Sequence, residues 1–281
     1  MSVRIIVDST TNTVPEIMNR LTVVPLPLFF GEEEYLEGVT IDHKMFYKNL
    51  IESDVLPTTS QANPATFAEV FEKVAKEGDS AVVITVASDL SGTYQSAMIA
   101  AADYTEHIYV VDGKSVAIGT GILAERALQL ADDGMTAKEI AEQLEKEKEN
   151  VCLIAMLDTL EYLKKGGRIS KTVVFAGGVW NIKPVVCIED GKIIMLGKAR
   201  GSKQGNNLLV QEIQKTGGVD FDKPIMLGYT GLSDNLLQKY ISDSKTLWEE
   251  MTTRLRFTPI GSVVGTHAGP GAIAAAYFKY I

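Results

Sequence analysis

The chain has little cysteine, little histidine and no long apolar run, and each shortage excludes a class of protein. Its two cysteines, Cys152 and Cys187, lie inside apolar stretches, which is typical of reduced, buried thiols rather than of a disulfide framework. The three histidines are scattered and there is no Cys-x-x-Cys pair, so no spacing typical of metal ligands is present. No stretch approaches the ~20 apolar residues that span a bilayer, and Arg4 and Asp8 interrupt the short apolar run at the start. We therefore expect a cytoplasmic protein with no metal and no cofactor.

Acidic residues outnumber basic ones, 36 to 27, which gives a formal net charge of −9. Broad nucleic-acid binding needs a clustered cationic surface, so this charge argues against it. One local basic segment remains around Lys198, Arg200 and Lys203. A hydrophobic content of 46% and a charged content of 22% are ordinary for a globular protein, and a length of 281 residues fits two domains.

Short β-branched apolar runs alternate with amphipathic helical patterns in the first half of the chain. Such runs, bounded by polar residues, are typical of buried parallel strands. Asn63 followed by Pro64 predicts the start of a helix, and Thr136 with Glu139 predicts a capping box. The alternation therefore predicts a parallel sheet covered by helices. The predicted strands are 5–7, 81–86 and 108–111.

The pattern changes near Asn150. Two apolar runs flank the turn pair Asp190-Gly191, which predicts a tight antiparallel hairpin over 185–196. The segments that follow alternate between helical and extended patterns without the regularity of the first half. We expect one more strand at 225–229 and helices near 203–216, 232–242 and 245–255.

These patterns predict an α/β protein of two domains. The N-terminal domain, with a parallel sheet, covers residues 1–150, and a mixed α/β domain with antiparallel strands covers residues 151–281. Ligands of open parallel sheets bind beyond the carboxyl ends of the strands, where Asp8-Ser9-Thr10 follows the first predicted strand. We therefore expect the ligand in and between the two domains.

Polar segments with hydroxyl groups precede two predicted helices, and a third polar segment lies near the C-terminus. Helix N-termini carry unpaired N–H groups and partial positive charge, so a carboxylate or phosphate is stabilised there. Hydroxyls, an imidazole and free amides suit a small anion better than they suit a catalytic nucleophile. The segments are Thr59-Ser60, Ser91-Gly92-Thr93 and the glycine-rich turn that contains His267.

Each of these residues also has a structural or an enzymatic interpretation. Ser91 could be an ordinary helix cap, and His267 could be an exposed residue in a structural turn. A serine hydrolase using Ser91 lacks the Gly-x-Ser-x-Gly elbow. A phosphatase using Asp8 lacks the usual second aspartate, because residue 10 is Thr10. A small hydrolase or phosphatase using Ser91 or Asp8 nevertheless stays the alternative.

Gly119-Thr120-Gly121 imitates the glycine fingerprint of dinucleotide-binding proteins. The fingerprint requires its first glycine directly after a strand, whereas this run begins several residues after the strand at 108–111. Close packing of a helix is the interpretation that we favour for the glycines.

Seven motifs occur in the same order as in a known family. The chain resembles the DegV family of bacterial fatty-acid-binding proteins that serve fatty acid kinase, and the resemblance covers essentially the whole length. The motifs are Asp8-Ser9-Thr10, Thr59-Ser60-Gln61, Ser91 to Ala97, Leu160-x-x-Leu163-x-x-Gly166 to Ser170, Lys183-Pro184, Lys198-x-Arg200 and Gly265 to Gly271.

The resemblance implies a protein without catalysis of its own that holds one long-chain fatty acid in an apolar tunnel. It implies that the protein presents the acid to a dihydroxyacetone-kinase-like fatty acid kinase, which forms an acyl phosphate for phospholipid synthesis. It also allows transient contact of the protein with a membrane surface. A lipid sensor with another partner would use the same pocket. The carboxylate-binding residues that it implies are Thr59, Ser60, Ser91, Gly92, Thr93, His267 and Arg200.

Apolar helix and strand residues could line such a tunnel, and ordinary core packing is the alternative for each of them. The candidates are Phe29, Met98, Ile118, Ile122, Leu157 and Leu160. Gly113 and Ala117 stand where the family often has serines, so the polar contacts of that loop and the acyl preference stay open.

Overall fold

A computed structural model describes residues 2–53, 55–169, 181–248, 251 and 254–280. The strands are β1 Val3–Asp8, β2 Thr22–Val24, β3 Pro27–Phe30, β4 Glu33–Leu36, β5 Thr58–Thr59, β6 Ser80–Thr85, β7 Ile108–Asp112, β8 Val151–Met156, β9 Ile182–Glu189, β10 Lys192–Arg200, β11 Met226–Tyr229, β12 Phe257–Pro259 and β13 Ile273–Phe278. The α-helices are α1 Pro15–Met18, α2 His43–Glu52, α3 Pro64–Lys76, α4 Thr93–Ala101, α5 Ile118–Asp132, α6 Ala137–Glu147, α7 Glu161–Lys165, α8 Gly201–Lys215, α9 Asn235–Asp243, α10 Lys245–Trp248 and α11 Ser262–Ala268.

The first sheet is parallel and has the order β2-β1-β6-β7. Its central strands are almost completely buried, as expected for β-branched runs that helices cover on both faces. The three strands predicted in the first half of the chain are therefore confirmed. Their carboxyl ends lead into Ser9, Val86 and Gly113, so the polar loops collect at one edge of the sheet.

The second sheet has the order β10-β9-β8-β13-β11-β12 and is antiparallel except for the pair β11 and β12. The predicted hairpin is β9 and β10, with Asp190 and Gly191 in the turn at positive φ, as a two-residue hairpin turn requires. This mixed α/β architecture confirms the predicted fold class. The last strand of the first sheet ends at Asp112 and the first strand of the second sheet begins at Val151; the domain boundary near residue 150 stays a prediction.

A third, three-stranded sheet of order β4-β3-β5 was not predicted. Its outer strand β5 has only two residues, Thr58 and Thr59, and pairs antiparallel with Leu28 and Phe29 of β3. Two residues are too few for an alternating pattern to be read from the sequence. The pairing gives Thr59 a fixed backbone position that a free loop would lack.

Helix α5 lies between the first and second sheets and is buried on almost every side. It contacts strands of both sheets, and its apolar residues join a core that includes Val82 of the first sheet and Phe278 of the second. A Cβ atom on Gly121 would overlap the carbonyl oxygen of Asn12, and one on Gly119 would overlap Ser115 Oγ. Close packing of the helix, rather than a dinucleotide site, therefore explains this glycine pair.

The helix starts follow the predicted capping signals. The Asn63 side chain accepts a hydrogen bond from the Ala65 N–H at 2.9 Å, and Thr136 and Glu139 form the complete capping box. The helices predicted near 203–216 and 232–242 are α8 and α9. The one predicted over 245–255 begins as α10, and residues 249, 250, 252 and 253 lie outside the described part of the chain. None of the helices within the described ranges is long and apolar enough to cross a bilayer.

We expect Gly121→Ala to lower the free energy of unfolding by about 1–3 kcal/mol, because its methyl group meets backbone that cannot move aside. Gly205→Ala in α8 is the matched control, since its methyl group would meet the flexible side chain of Met156. Urea denaturation of both variants measures the difference. Equal destabilisation of the two proteins would contradict this account of the packing of α5.

Candidate functional site

A cavity lies between the carboxyl edge of the first sheet and the inner face of the second. Its empty volume, with the open mouth included, is about 1000 Å³. Apolar side chains form most of its wall. The polar residues in the lining are Thr10, Thr59, Ser60, Ser91, Arg168, Thr230 and His267.

Thr59 and His267 come from opposite halves of the chain and meet in this lining. Thr59 Oγ1 lies 2.9 Å from His267 Nε2. His267 Nδ1 is buried without a hydrogen-bond partner among the described residues. It packs directly against Gly166, where a Cβ atom would overlap it. Burial, with the nearby Arg168 charge, lowers the pKa of His267 to about 4, so the imidazole is neutral at pH 7.

The tautomer of His267 decides what the Thr59 hydroxyl can do. A buried N–H without an acceptor is rarer and costlier than a buried lone pair without a donor, so we assign the proton to Nε2 and leave Nδ1 unprotonated. His267 Nε2–H then donates to Thr59 Oγ1. The hydroxyl hydrogen of Thr59 is thereby left free to donate into the cavity.

Ser91 is oriented in a similar way by Thr93 at the start of α4. Thr93 Oγ1 accepts from the Ala62 N–H at 3.3 Å and lies 2.9 Å from Ser91 Oγ. Thr93 is fully buried, so its hydroxyl hydrogen needs an acceptor, and among the described residues we assign this role to Ser91 Oγ. Ser91 Oγ also accepts from the Thr93 N–H at 3.3 Å. With both bonds accepted, the Ser91 hydroxyl donates towards the cavity.

Arg168 supplies the cation of the site. Its Nε donates to the Leu90 carbonyl at 3.2 Å and its Nη1 to the Gly166 carbonyl at 2.7 Å, which holds the guanidinium against the cavity wall. Arg168 belongs to the motif Gly166 to Ser170, whereas Arg200 was the arginine expected at the carboxylate. The structure places Arg200 at the exposed end of β10, where it precedes α8 and its N–H donates to Gln204 Oε1 at 3.1 Å.

Small residues make the inner face of the second sheet hollow at its centre. One row of directly paired residues crosses five strands. Two adjacent members of the row, Ala155 and Ala274, line the cavity with only a methyl group each, so the wall recedes there. The space beside Gly228 is filled by the Ile260 side chain. In order across the sheet the row is Met195, Val186, Ala155, Ala274 and Gly228.

The remaining predicted residues are distributed unevenly around the cavity. Ser60 and Leu157 line it. Thr93 lies behind Ser91, and the space beside Gly92 is filled by the Gln61 side chain rather than by the cavity.

The two positions where the family often has serines differ in their surroundings. Ala117 lines the cavity, whereas a Cβ atom on Gly113 would overlap the Thr85 carbonyl oxygen.

The other predicted tunnel residues lie outside the lining. Ile118 and Ile122 belong to the core around α5. Leu160 is buried in the apolar cluster to which the lining residue Leu157 belongs. Phe29 lies on β3, half-buried. Met98 is 41% exposed on the outer face of α4, because the buried face of that helix is formed by small residues such as Ala97.

Asp8 and Ser91 lack the surroundings of catalytic nucleophiles. Asp8 is fully buried, and its carboxylate accepts from the N–H and hydroxyl of Thr10 and, at 2.7 Å, from the Val86 N–H. Burial raises its pKa and these hydrogen bonds oppose the rise, so Asp8 acts as a brace between two strand ends. No hydrogen bond joins Ser91 to His267 in the part of the chain that is described. Over the same residues there is no group of three or more His, Cys, Asp or Glu side chains that could hold a metal ion.

Glu37 fastens α11, the helix that carries His267, to the first half of the chain. It is buried just after β4, and its Oε1 accepts from the Val263 N–H at 2.9 Å while its Oε2 accepts from Ser9 Oγ at 2.8 Å. Gly261 is required beside it, because a Cβ atom there would overlap Oε1. Burial raises the pKa of Glu37 to about 7 against the opposing effect of these hydrogen bonds.

The chain belongs to the DegV family, since residues 2–280 match the family model described as "Uncharacterised protein, DegV family". A DegV domain-containing protein of Caldanaerobacter subterraneus is 33% identical to it over 279 residues, 98% of each chain. A solved DegV family protein from Thermus thermophilus, described for its fatty acid binding, superposes with a TM-score of 0.88 at 26% identity over 100% of both chains. A stearic acid-binding protein from Eubacterium ventriosum superposes with a TM-score of 0.84 at 26% identity over 100% of this chain and 99% of the other.

Because the pKa of Glu37 is raised from 4.5 to about 7, its contribution to stability is present below pH 4.5 and is lost as the pH rises to 7. We expect Glu37→Gln, which cannot ionise, to remove this loss. The lowered pKa of His267 makes the free energy of unfolding rise with pH between pH 4 and 6.5. This contribution is the same in both proteins, so it does not affect their difference. Urea denaturation from pH 4.5 to 7 should therefore show the free energy of unfolding falling less, or rising more, in the variant. Parallel curves for the two proteins would rule this role out.

Proposed function

We propose that this protein binds one long-chain fatty acid, with the carboxylate at the polar end of the cavity and the alkyl chain along the apolar wall. The observation that carries the proposal is the pair of oriented hydroxyls, Thr59 and Ser91, beside Arg168 at one end of an otherwise apolar cavity. Donors without a nucleophile–base pair suit an anion that is held rather than attacked. Fatty acid binding by solved relatives from Thermus thermophilus and Eubacterium ventriosum supports the same ligand class.

The energetics of such a ligand favour binding. Burial of ~14 methylene groups at ~0.8 kcal/mol each gives roughly 11 kcal/mol of gross driving force, and the loss of ligand freedom and side-chain ordering remove part of it. A carboxylate taken out of water costs several kcal/mol unless its hydrogen bonds are replaced. The two hydroxyls and the guanidinium replace them and leave a net driving force from the chain.

The headgroup end is also the end that a partner protein could reach. Ser60, next to Thr59, is exposed while it lines the cavity, so the carboxylate would sit near the surface. We propose that a dihydroxyacetone-kinase-like fatty acid kinase phosphorylates the acid there to an acyl phosphate for phospholipid synthesis. In that arrangement the protein holds and orients the acid, and the kinase performs the chemistry.

We expect the protein to carry long-chain fatty acid in near-stoichiometric amount when it is purified from bacteria under mild conditions. The physical reason is that an alkyl chain buried over ~14 methylenes leaves slowly, because it must be returned to water. Mass spectrometry of the denatured protein measures the acyl content. A protein that contains no acyl chain, and that takes up none when it is offered palmitate, would refute the proposed function.

We expect Thr59→Val and Ser91→Ala each to weaken the binding of palmitate to delipidated protein by about 10- to 100-fold. Each substitution removes one hydrogen bond to a charged group, worth about 1.5–3 kcal/mol. Thr58→Val is the matched control, because Thr58 is the exposed neighbour of Thr59 on β5 and lies outside the cavity lining. Calorimetric titration measures the affinities. Unchanged affinity in both site variants would remove the two hydroxyls from the carboxylate site.

A further inference from the structure

The pairing of β8 with its two neighbours is unequal. β8 pairs with β13 along its whole length, down to Val151. It pairs with β9 only through its last three residues, with Ile154 opposite Cys187 as the final pair. Beyond that pair β9 continues alongside β10 as far as Glu189. The two strands therefore diverge, and residues 151–153 and 188–189 form a fork in the sheet.

Two cavities meet at this fork. The apolar cavity of the proposed fatty acid site and a polar surface cleft share three lining residues, Leu153, Cys187 and Ile188. The rest of the cleft is lined mainly by charged and polar groups, among them Lys148 and Glu189. The side chains of Leu153 and Ile188 thus form the partition between an apolar interior and water.

The fork lies at the end of the cavity away from the carboxylate site. Leu157 packs in a cluster that Ala268, the neighbour of His267, joins, so it marks the headgroup end. Leu153 lies on β8, four positions before Leu157, which directly follows the strand; at ~3.3 Å per extended residue the two are about 13 Å apart. Ala155 stands between them in the hollow row. The wall therefore runs from the polar end, past small residues, to two bulky aliphatic side chains.

We infer that Leu153 and Ile188 close the tail end of the cavity and set the longest acyl chain that the protein accepts. The inference rests on the proposed function, because it assigns the methyl end of the same fatty acid. A chain of the accepted length ends against the two side chains. The methyl end of a longer chain would pass through the fork into the polar cleft. There it would be exposed to water, so the extra methylene groups would add no binding free energy.

The test offers delipidated protein an equimolar mixture of saturated fatty acids from lauric to behenic acid and identifies the bound acids by mass spectrometry. For Ile188→Ala we expect the preferred length to increase by about two to four carbon atoms, because the substitution removes three side-chain carbons at the partition. Leu153→Ala should act in the same direction. Ile188→Val, which removes one carbon atom and perturbs the fold least, should give a smaller shift with the same sign.

Ile194→Ala is the matched control, because Ile194 is half-buried on the neighbouring strand and lines neither cavity. Its length profile should equal that of the wild type. If the folded Ile188→Ala and Ile188→Val variants bind fatty acid with an unchanged profile, the inference is wrong and the proposed function stands. If the wild type binds no acid of any length, the proposed function fails and the inference fails with it.

Discussion

The site depends on the docking of α11, a short helix near the C-terminus, into a socket formed by the first half of the chain. Glu37 accepts the Val263 N–H at the start of the helix, and Tyr47 donates its hydroxyl to the Ile260 carbonyl just before it, at 3.1 Å. Gly265 lets the rings of Tyr47 and the adjacent Phe46 approach the helix backbone. These contacts bring His267 to Thr59, so a polar site is assembled from residues more than 200 positions apart.

The direction of hydrogen bonding follows from the need to satisfy buried polar groups. Thr93 is buried behind Ser91, and the largely buried His267 lies against Thr59 in the cavity lining, so each of these groups uses its donor on the hydroxyl beside it. Within the described part of the chain, no other acceptor is bonded to the Thr59 or Ser91 hydroxyl, so both hydrogens can donate to a ligand in the cavity. In the same geometry no base among the described residues is bonded to Ser91, because the neutral imidazole of His267 is engaged with Thr59. Binding and nucleophilic catalysis are thus opposed in this arrangement.

Local signals predicted much of the fold. Asn63 with Pro64, the Thr136–Glu139 box and the Asp190-Gly191 turn each act within a few residues, so the sequence displays them directly. Apolar lining was harder to predict. A leucine or isoleucine in the core and one in a cavity wall have the same pattern in the sequence, since both face away from water. In the structure Leu157 lines the cavity, while Ile118 and Ile122 pack in the core around α5.

What the sequence by itself determined is the α/β class, the alternation of elements and the polar segments that contain Thr59, Ser91 and His267, because caps, turns and strand runs are local. What only the tertiary structure decided is which of these segments meet, that Arg168 rather than Arg200 stands beside them, and where the sheet is hollow. Arg168 reaches the site because the turn after α7 places its Nε against the Leu90 carbonyl, and the hollow arises from Ala155 and Ala274 on two neighbouring strands. Their adjacency depends on strand register, which no single stretch of sequence specifies.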